Sequence, residues 1–178
     1  MLTTEQPPTG GVARIGGIDV VRDRGALRSQ RTMGLCPQFD ALYDQLTVEE
    51  HLRLFASLLG VPRHRLDDVC NGAVADLGLA PHRAKLACNL SGGNKRKLSV
   101  ALALLGQPQV VLLDEPSTGV DAAARRAVWE VLRDVRGTTG AAMGAAARPS
   151  PTAIVLSTHS MEEAVALNDR IAVMVKGD

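Results

Sequence analysis

Two segments of this 178-residue chain carry residue types that suit phosphate chemistry. Leu90–Asn94 contains a serine and two glycines at the start of a predicted helix, and Leu112–Pro116 contains an aspartate and a glutamate at the end of a predicted strand. Glycine lets backbone N–H groups approach an anion, and a helix start adds the positive end of its dipole. Two carboxylates can hold a cation and polarise water. The pair of segments predicts nucleotide binding and hydrolysis.

The two acids follow the apolar run Val110–Leu113, which is typical of a central strand in a parallel sheet. Neighbouring side chains leave a strand in opposite directions, so two roles are available. We expect Asp114 to hold Mg²⁺ and Glu115 to polarise the water that attacks a γ-phosphate. The alternative is a strand end with two solvated acids, which is a frequent arrangement.

Polar side chains also end two other predicted strands. His159 follows the apolar segment Ala153–Ser157, and its imidazole could hydrogen-bond a γ-phosphate oxygen from the same sheet edge. Gln38 follows the predicted strand Arg31–Cys36 and can reach a metal ion or water. A histidine or glutamine taken alone is more often an ordinary polar residue.

Small and acidic residues precede two predicted helices. Ser91, Gly92 and Gly93 predict a phosphate-binding helix start, to which the serine adds a hydroxyl donor. A capped helix with a flexible glycine entry explains the same three residues without any ligand. Asp121 begins another predicted helix, and N-capping explains it fully.

The elements that position these residues follow from hydrophobic periodicity. Apolar runs at 110–113, 153–157 and 171–175 predict strands, and amphipathic helices are predicted between them. Strand, helix, strand, helix, strand in that order predicts an α/β fold with a parallel sheet. Thr47–Glu50 is a capping-box pattern that starts a helix, and a second helix is predicted at about 66–77.

Three shorter signals complete the prediction of structure. Residues 12–20 alternate around a glycine turn, which predicts a short β segment. Ser160–Glu163 repeats the capping-box pattern. Residues 137–151 are rich in alanine and glycine without periodicity, which predicts a solvated loop.

Composition disfavours several classes of protein. A net charge of +1 and an aromatic content of 2% argue against a nucleic-acid partner. No apolar stretch reaches the roughly 20 residues that a membrane span needs, so we expect no direct span. The three cysteines are widely spaced, which predicts reduced cytosolic thiols rather than a disulfide framework or a zinc site.

The order of the motifs closely resembles the ATP-binding cassette of ABC transporters. The matching segments are Cys36–Gln38, Leu90–Asn94, Leu112–Pro116, Gly119–Asp121 and Thr158–His159. The detailed sequence in and around these motifs resembles the A subfamily, whose members mostly move lipids. The segments that carry this resemblance are Gly34–Asp40, Leu46–Leu52, Asn94–Ser99 and Ser160–Ala164. The resemblance covers nearly the whole chain except the insert rich in alanine and glycine.

The resemblance implies a P-loop NTPase-like (RecA-like) parallel sheet with an inserted α-helical subdomain. We expect a partial α/β core over residues 1–39 and the helical subdomain over 40–89. The rest of the core is expected over residues 90–178. It carries the signature helix, the Walker B motif, the D-loop and the His-switch, with a low-complexity insert at 137–152.

The resemblance also implies roles for individual residues in binding and hydrolysing ATP with Mg²⁺. By matching position, Gln38 corresponds to the Q-loop glutamine that senses the metal and the transmembrane domain. Asp114 corresponds to the Walker B aspartate, Glu115 to the catalytic glutamate and His159 to the switch histidine.

The partners implied by the resemblance are a second cassette and separate transmembrane domains. Ser91, Gly92 and Gly93 correspond to the signature that contacts the ATP of the partner cassette in a head-to-tail dimer. Asp121 corresponds to the D-loop acid at the dimer interface. The expected location is the cytoplasmic face of a membrane, reached through the transmembrane domains.

One motif of the family is missing, because no Gly-x-x-x-x-Gly-Lys-Ser/Thr occurs in the sequence. We therefore expect a fragment of a cassette, incomplete at both ends, that is inactive alone and completes a site only with an intact partner. The alternative function is a non-catalytic interaction or regulatory module that docks on an intact cassette. A soluble ABC protein of translation or repair has less support, because the helical subdomain and the sequence similarity to the A subfamily are typical of a transporter.

Overall fold

The computed structural model describes residues 10–23, 25, 33–136 and 152–175. The described strands are β1 (Arg14–Ile15), β2 (Ile18–Asp19), β3 (Met33–Cys36), β4 (Val110–Asp114) and β5 (Ala153–Ser157). The described α-helices are α1 (Val48–Leu58), α2 (Leu66–Asp76), α3 (Gly92–Leu104), α4 (Ala122–Arg136) and α5 (Met161–Leu167).

A parallel sheet with the strand order β3-β4-β5 forms the centre of the fold. Cys36 of β3 pairs with Leu113 of β4, and Asp114 of β4 pairs with Ser157 of β5. This register places the carboxyl ends of the three strands side by side. β4 lies in the middle and is buried along its apolar run, as predicted. The predicted α/β fold with a parallel sheet is confirmed.

Helices α1 and α2 lie between β3 and α3 in the chain and share the main hydrophobic core. Helix α1 starts with the predicted capping box. The Glu50 N–H donates to Thr47 Oγ1 at 3.2 Å, and the Thr47 N–H donates to Glu50 Oε2 at 2.7 Å. Leu52 of α1 and Leu98 of α3 are completely buried in this core. The helical region is therefore held to the sheet by apolar packing.

The capping box predicted at the start of α5 forms only in part. Ser160 caps the helix by accepting the N–H of Glu163 at 3.3 Å. The reciprocal bond is absent, because the Ser160 N–H donates to Thr158 Oγ1 and the buried Glu163 carboxylate accepts the indole N–H of Trp129 at 3.1 Å. A tertiary contact has replaced the local one.

The last predicted strand, at 171–175, is wrong. These residues are irregular, and Val173 and Met174 are 75% and 78% exposed. A strand needs a neighbour with which to exchange main-chain hydrogen bonds, and among the described strands β5 pairs only with β4. β5 itself forms as predicted but is not buried on both faces, since Val155 is 52% exposed.

The segment 12–20 forms the predicted β structure as a short antiparallel hairpin of β1 and β2. The start of the predicted strand at Arg31 and the predicted loop at 137–151 lie outside the described residues. Thr152, which ends the predicted insert, is buried, and its hydroxyl donates to the Pro108 carbonyl at 2.9 Å. In the described part of the chain, no helix has the length and apolar character to cross a membrane.

Candidate functional site

The carboxyl ends of the three sheet strands bring Gln38, Glu115 and His159 together. Nδ1 of His159 lies 3.4 Å from Oε2 of Glu115, and the side chain of Gln38 is near enough to the same carboxylate to lower its pKa. Parallel strands end at one edge of a sheet, so segments distant in sequence supply one cluster. The structure thus places the predicted acid, amide and imidazole at one edge of the sheet. The His159 side chain is 70% exposed, which leaves the cluster open to a ligand.

The Glu115 carboxylate is held by several donors. Thr118 Oγ1 donates to Glu115 Oε2 at 2.9 Å. This bond is the largest cause that lowers the pKa of Glu115, and His159 and Gln38 lower it further. Glu115 is thus kept ionised, and an ionised carboxylate can orient and polarise a water molecule.

The backbone at Glu115 is strained. Its φ of 47° lies in the left-handed region, which a residue with a Cβ rarely adopts. The turn is fixed on its amino side by the Glu115 N–H, which donates to the Ser157 carbonyl at 3.0 Å. Such strain is concentrated at functional sites, because it persists only where the surroundings enforce it.

Asp114 lies exposed at the end of β4 and accepts a hydrogen bond from Ser157 Oγ. Its carboxylate and the amide oxygen of Gln38 are the hard oxygen ligands that Mg²⁺ prefers. Over the described ranges, no group of three or more His, Cys, Asp or Glu side chains is arranged as a metal cage. This donor set fits Mg²⁺, which is usually held by one or two carboxylates and completes its coordination with water and substrate phosphates.

The buried thiol of Cys36 precedes this cluster at the end of β3. Burial raises the pKa of Cys36 to about 11. A thiol with such a pKa is protonated at neutral pH and is a poor nucleophile or metal ligand. Cys36 is therefore a packing residue.

The predicted residues of the α3 tip form a second group, together with the start of α4. Ser91 caps α3 by accepting the Asn94 N–H at 3.4 Å. A Cβ on Gly93 would lie 3.3 Å from Oδ2 of Asp121 and 3.3 Å from Cβ of Ala124, so glycine permits this close approach. Gly93 thus places this tip, which begins with Ser91 and Gly92, next to Asp121 at the start of α4.

Asp121 caps α4, as predicted. Its Oδ1 accepts the N–H groups of Ala123 and Ala124, each at 2.9 Å. These bonds lower the pKa of Asp121, with Ala124 making the largest contribution. The acid at this helix start is therefore ionised and fixed beside the α3 tip.

Arg96 is a residue that sequence reasoning missed. Its side chain is only 3% exposed, and its guanidinium hydrogen-bonds the loops that follow β3 and β4. A signal was present in the sequence, because Arg96 lies on the same face of α3 as the buried Gly93 and Val100, at spacings of three and four residues. A charged residue at a core-facing helix position needs partners inside the fold.

The sequence matches known protein families over much of its length. Residues 1–118 match the family described as ABC transporter. Residues 87–166 also match a family described as AAA domain, putative AbiEii toxin, Type IV TA system.

Several curated relatives belong to the A subfamily. The chain is 46% identical over 177 residues to phospholipid-transporting ATPase ABCA3 of Rattus norvegicus, covering 99% of the chain and 10% of the relative. It is 42% identical over 176 residues to ABC transporter A family member 9 of Arabidopsis thaliana, covering 99% and 17%. It is 45% identical over 181 residues to retinal-specific phospholipid-transporting ATPase ABCA4 of Bos taurus, covering 99% and 7%. The chain therefore spans a small part of each of these relatives.

A solved structure described as the ATP binding subunit of an ABC transporter has the same fold. The two chains superpose with a TM-score of 0.75 at 25% identity, covering 94% of this chain and 64% of the other. The predicted P-loop NTPase-like architecture is confirmed.

Proposed function

The chain belongs to the ABC transporter family as part of its nucleotide-binding domain, and from this premise we propose that it binds Mg-ATP and promotes its hydrolysis during transport. The observation that carries the proposal is the cluster of Gln38, Glu115 and His159 at one sheet edge. An ionised acid can position the attacking water, and an amide and an imidazole can hydrogen-bond that water or the phosphate oxygens.

Each residue of the cluster has a distinct role in this proposal. Asp114 and Gln38 hold Mg²⁺, which neutralises charge on the phosphates when bound. Glu115 orients and polarises the attacking water, and Thr118 and His159 hold its carboxylate in place. His159 also donates to a γ-phosphate oxygen through Nε2, which requires that the imidazole carries a proton on both nitrogens.

The α3 tip acts on a different nucleotide. Ser91, Gly92 and Gly93 bind the ATP of a second cassette through the serine hydroxyl and the N–H groups of the helix start. Asp121 lies at the interface between the cassettes. The sequence has no Gly-x-x-x-x-Gly-Lys-Ser/Thr, so this chain by itself binds ATP weakly and depends on its partner for activity.

The transported substrate that we propose is a phospholipid, because two of the relatives are named as phospholipid-transporting ATPases. Transport requires transmembrane domains on which the cassette docks from the cytoplasmic side. The division into core regions at 1–39 and 90–178 and a helical subdomain at 40–89 is part of the same proposal.

Paramagnetic broadening by Mn-ATP tests the nucleotide site even if binding is weak. In the isotopically labelled chain, Mn-ATP should broaden the NMR signals of Gln38, Glu115 and His159 before others. Asp114→Asn should reduce this broadening, because it removes the carboxylate that holds the metal. Asp68→Asn, which alters an exposed acid on α2, is the matched control and should leave the broadening unchanged.

Two results would contradict the proposal in different ways. If Mn-ATP broadens none of the three signals while the chain still binds an intact cassette, the chain is a non-catalytic docking module. If calorimetry shows micromolar affinity for Mg-ATP, the dependence on a partner for phosphate binding is wrong.

A further inference from the structure

Arg96 carries a charge deep in the fold. Its side chain is 3% exposed, although it projects from a helix whose first residues reach the surface. A buried ionised group is unfavourable unless hydrogen bonds and an opposite charge compensate for lost hydration. Its partners therefore indicate what the residue does.

The first set of partners belongs to the loop that follows β3. Arg96 Nη1 donates to the carbonyls of Pro37, at 2.5 Å, and Gln38, at 3.3 Å. The same nitrogen lies 3.2 Å from Oδ1 of Asp40, which also accepts the Ser99 hydroxyl at 2.8 Å. Asp40 thus supplies the opposite charge, and Arg96 holds the backbone of the loop that presents Gln38.

The second set of partners belongs to the loop that follows β4. Arg96 Nη2 donates to the carbonyls of Asp114 and Glu115, the latter at 2.9 Å, and Nε donates to the Pro116 carbonyl at 3.1 Å. These three consecutive carbonyls surround the left-handed turn at Glu115. The guanidinium therefore holds the strained turn on its carbonyl side, opposite the Ser157 contact to the Glu115 N–H.

We infer that Arg96 is a positioning residue that fixes Gln38 and Glu115 relative to each other by tying both loops to helix α3. The inference rests on the proposed function only for the roles of Gln38 and Glu115. The link itself rests on the contacts of the guanidinium. Arg96 touches neither nucleotide nor metal in this account and acts through the two loops.

Lysine cannot replace this arrangement. The guanidinium spreads its donors over a planar fork that reaches both loops, whereas an ammonium is a single point with a shorter reach. Arg96→Lys keeps the positive charge opposite Asp40 and loses the geometry. The variant therefore separates the positioning role from simple charge compensation.

Amide hydrogen exchange tests the link without nucleotide. In the full chain, Arg96→Lys should speed exchange of the Glu115 N–H, which bonds Ser157, and of the Thr118 N–H, which bonds the Glu115 carbonyl. We expect acceleration of about tenfold, while amides in the β4–β5 ladder change little. Unchanged exchange at Glu115 and Thr118, or uniform acceleration of all amides, would overturn the inference.

Arg136→Lys is the matched control. Arg136 also donates to a main-chain carbonyl, that of Leu167 at 2.7 Å, and pairs with Asp169 at 3.3 Å, away from the cluster. Its replacement should leave exchange at Glu115 and Thr118 at the native rate. Acceleration equal to that of Arg96→Lys would show that the effect is general and would overturn the inference.

Broadening of NMR signals by Mn-ATP is a second measurement, and it should not change if Arg96 only stabilises the fold. The unmodified chain should show broadening at Gln38 and His159 together, and Arg96→Lys should reduce it at Gln38 relative to His159. Equal broadening in both proteins would overturn the inference. Absence of broadening in the unmodified chain would instead contradict the proposed function, and hydrogen exchange would still decide the role of Arg96.

A measurement on the unmodified chain covers the case in which Arg96→Lys does not fold. The Nε–H of Arg96 donates to the Pro116 carbonyl inside the fold, whereas Arg133 is exposed on α4. The Nε–H signal of Arg96 should exchange with water at least about tenfold more slowly than that of Arg133. Equal exchange rates would overturn the inference.

Discussion

Replacement of Ser91 by alanine separates two roles of the residue that begins α3. The first role is structural, since Ser91 Oγ caps the helix by accepting the Asn94 N–H. The second is the proposed contact with the ATP of a partner cassette. Because the structural role is small and the binding role is large, one substitution can distinguish them.

The structural cost follows from the geometry of the cap. The Ser91 bond is long, at 3.4 Å, and exposed, so its loss should cost about 0.5 kcal/mol, near the lower limit for N-caps. This corresponds to about 1–2 °C in Tm for a chain of this size. Loss of a hydrogen bond to a charged phosphate costs about 1.5–3 kcal/mol, which is about a 10- to 150-fold loss of affinity.

Thr47→Ala is the control for stability. It removes the Thr47 hydroxyl, which accepts the Glu50 N–H at 3.2 Å and donates to Glu50 Oε2 at 2.8 Å, so it should cost about 1 kcal/mol, more than Ser91→Ala. It lies outside the proposed nucleotide contacts. Thr47→Ala should therefore lower the Tm further while retaining function.

The assay combines thermal unfolding by circular dichroism with the ATPase rate of an intact cassette mixed with this chain. The native chain and Thr47→Ala should raise that rate, and Ser91→Ala should fail to do so at matched concentrations. Full stimulation by Ser91→Ala would refute the proposed contact. Equal loss of stimulation in both variants would show that stability, not phosphate binding, limits the effect.

Three further predictions concern stability. Burial alone would raise the pKa of Glu49, but hydrogen bonds from arginines, chiefly Arg83, outweigh it and lower the pKa. A carboxylate whose pKa is lowered in the folded state stabilises the fold at pH values above its unfolded pKa, and this stabilisation is lost as the pH falls through the folded pKa. Urea unfolding should therefore show that Glu49→Gln is less stable than the native chain by about 1 kcal/mol at neutral pH and equally stable in acid. In the same assay, His51→Ala should lower the free energy of unfolding by about 3 kcal/mol, because the buried imidazole hydrogen-bonds the Tyr43 N–H at 2.9 Å and the Thr47 carbonyl at 2.8 Å. A loss no larger than that of a surface substitution would contradict this prediction. Gly34→Ala should lower the free energy of unfolding by about 3 kcal/mol or more, because the new Cβ would overlap the Ala103 carbonyl. An unchanged Tm would show that β3 and α3 are not packed this closely.

Much of the candidate site was predictable from the sequence. Gln38, Glu115 and His159 each follow an apolar run, and an alternation of strands and helices implies parallel strands that end at one edge. Their convergence follows from topology, so the sequence was sufficient to predict it. Their roles in ATP hydrolysis stay a prediction.

Other parts of the molecule were not predictable, because they depend on distant partners. The capping pattern at Ser160 was misleading, since Trp129, 34 residues away in sequence, hydrogen-bonds the Glu163 carboxylate. The apolar run at 171–175 has the composition of a strand, but none of the described strands pairs with it. Composition cannot supply a missing neighbour.

The sequence by itself determined the helix starts at Thr47, Ser91 and Asp121, because a cap joins groups within three residues of each other. It also determined which strand ends carry polar side chains. Only the tertiary structure decided how those ends are held. Arg96 bonds carbonyls up to 59 residues away, and such contacts form only when packing has brought the loops around the buried guanidinium.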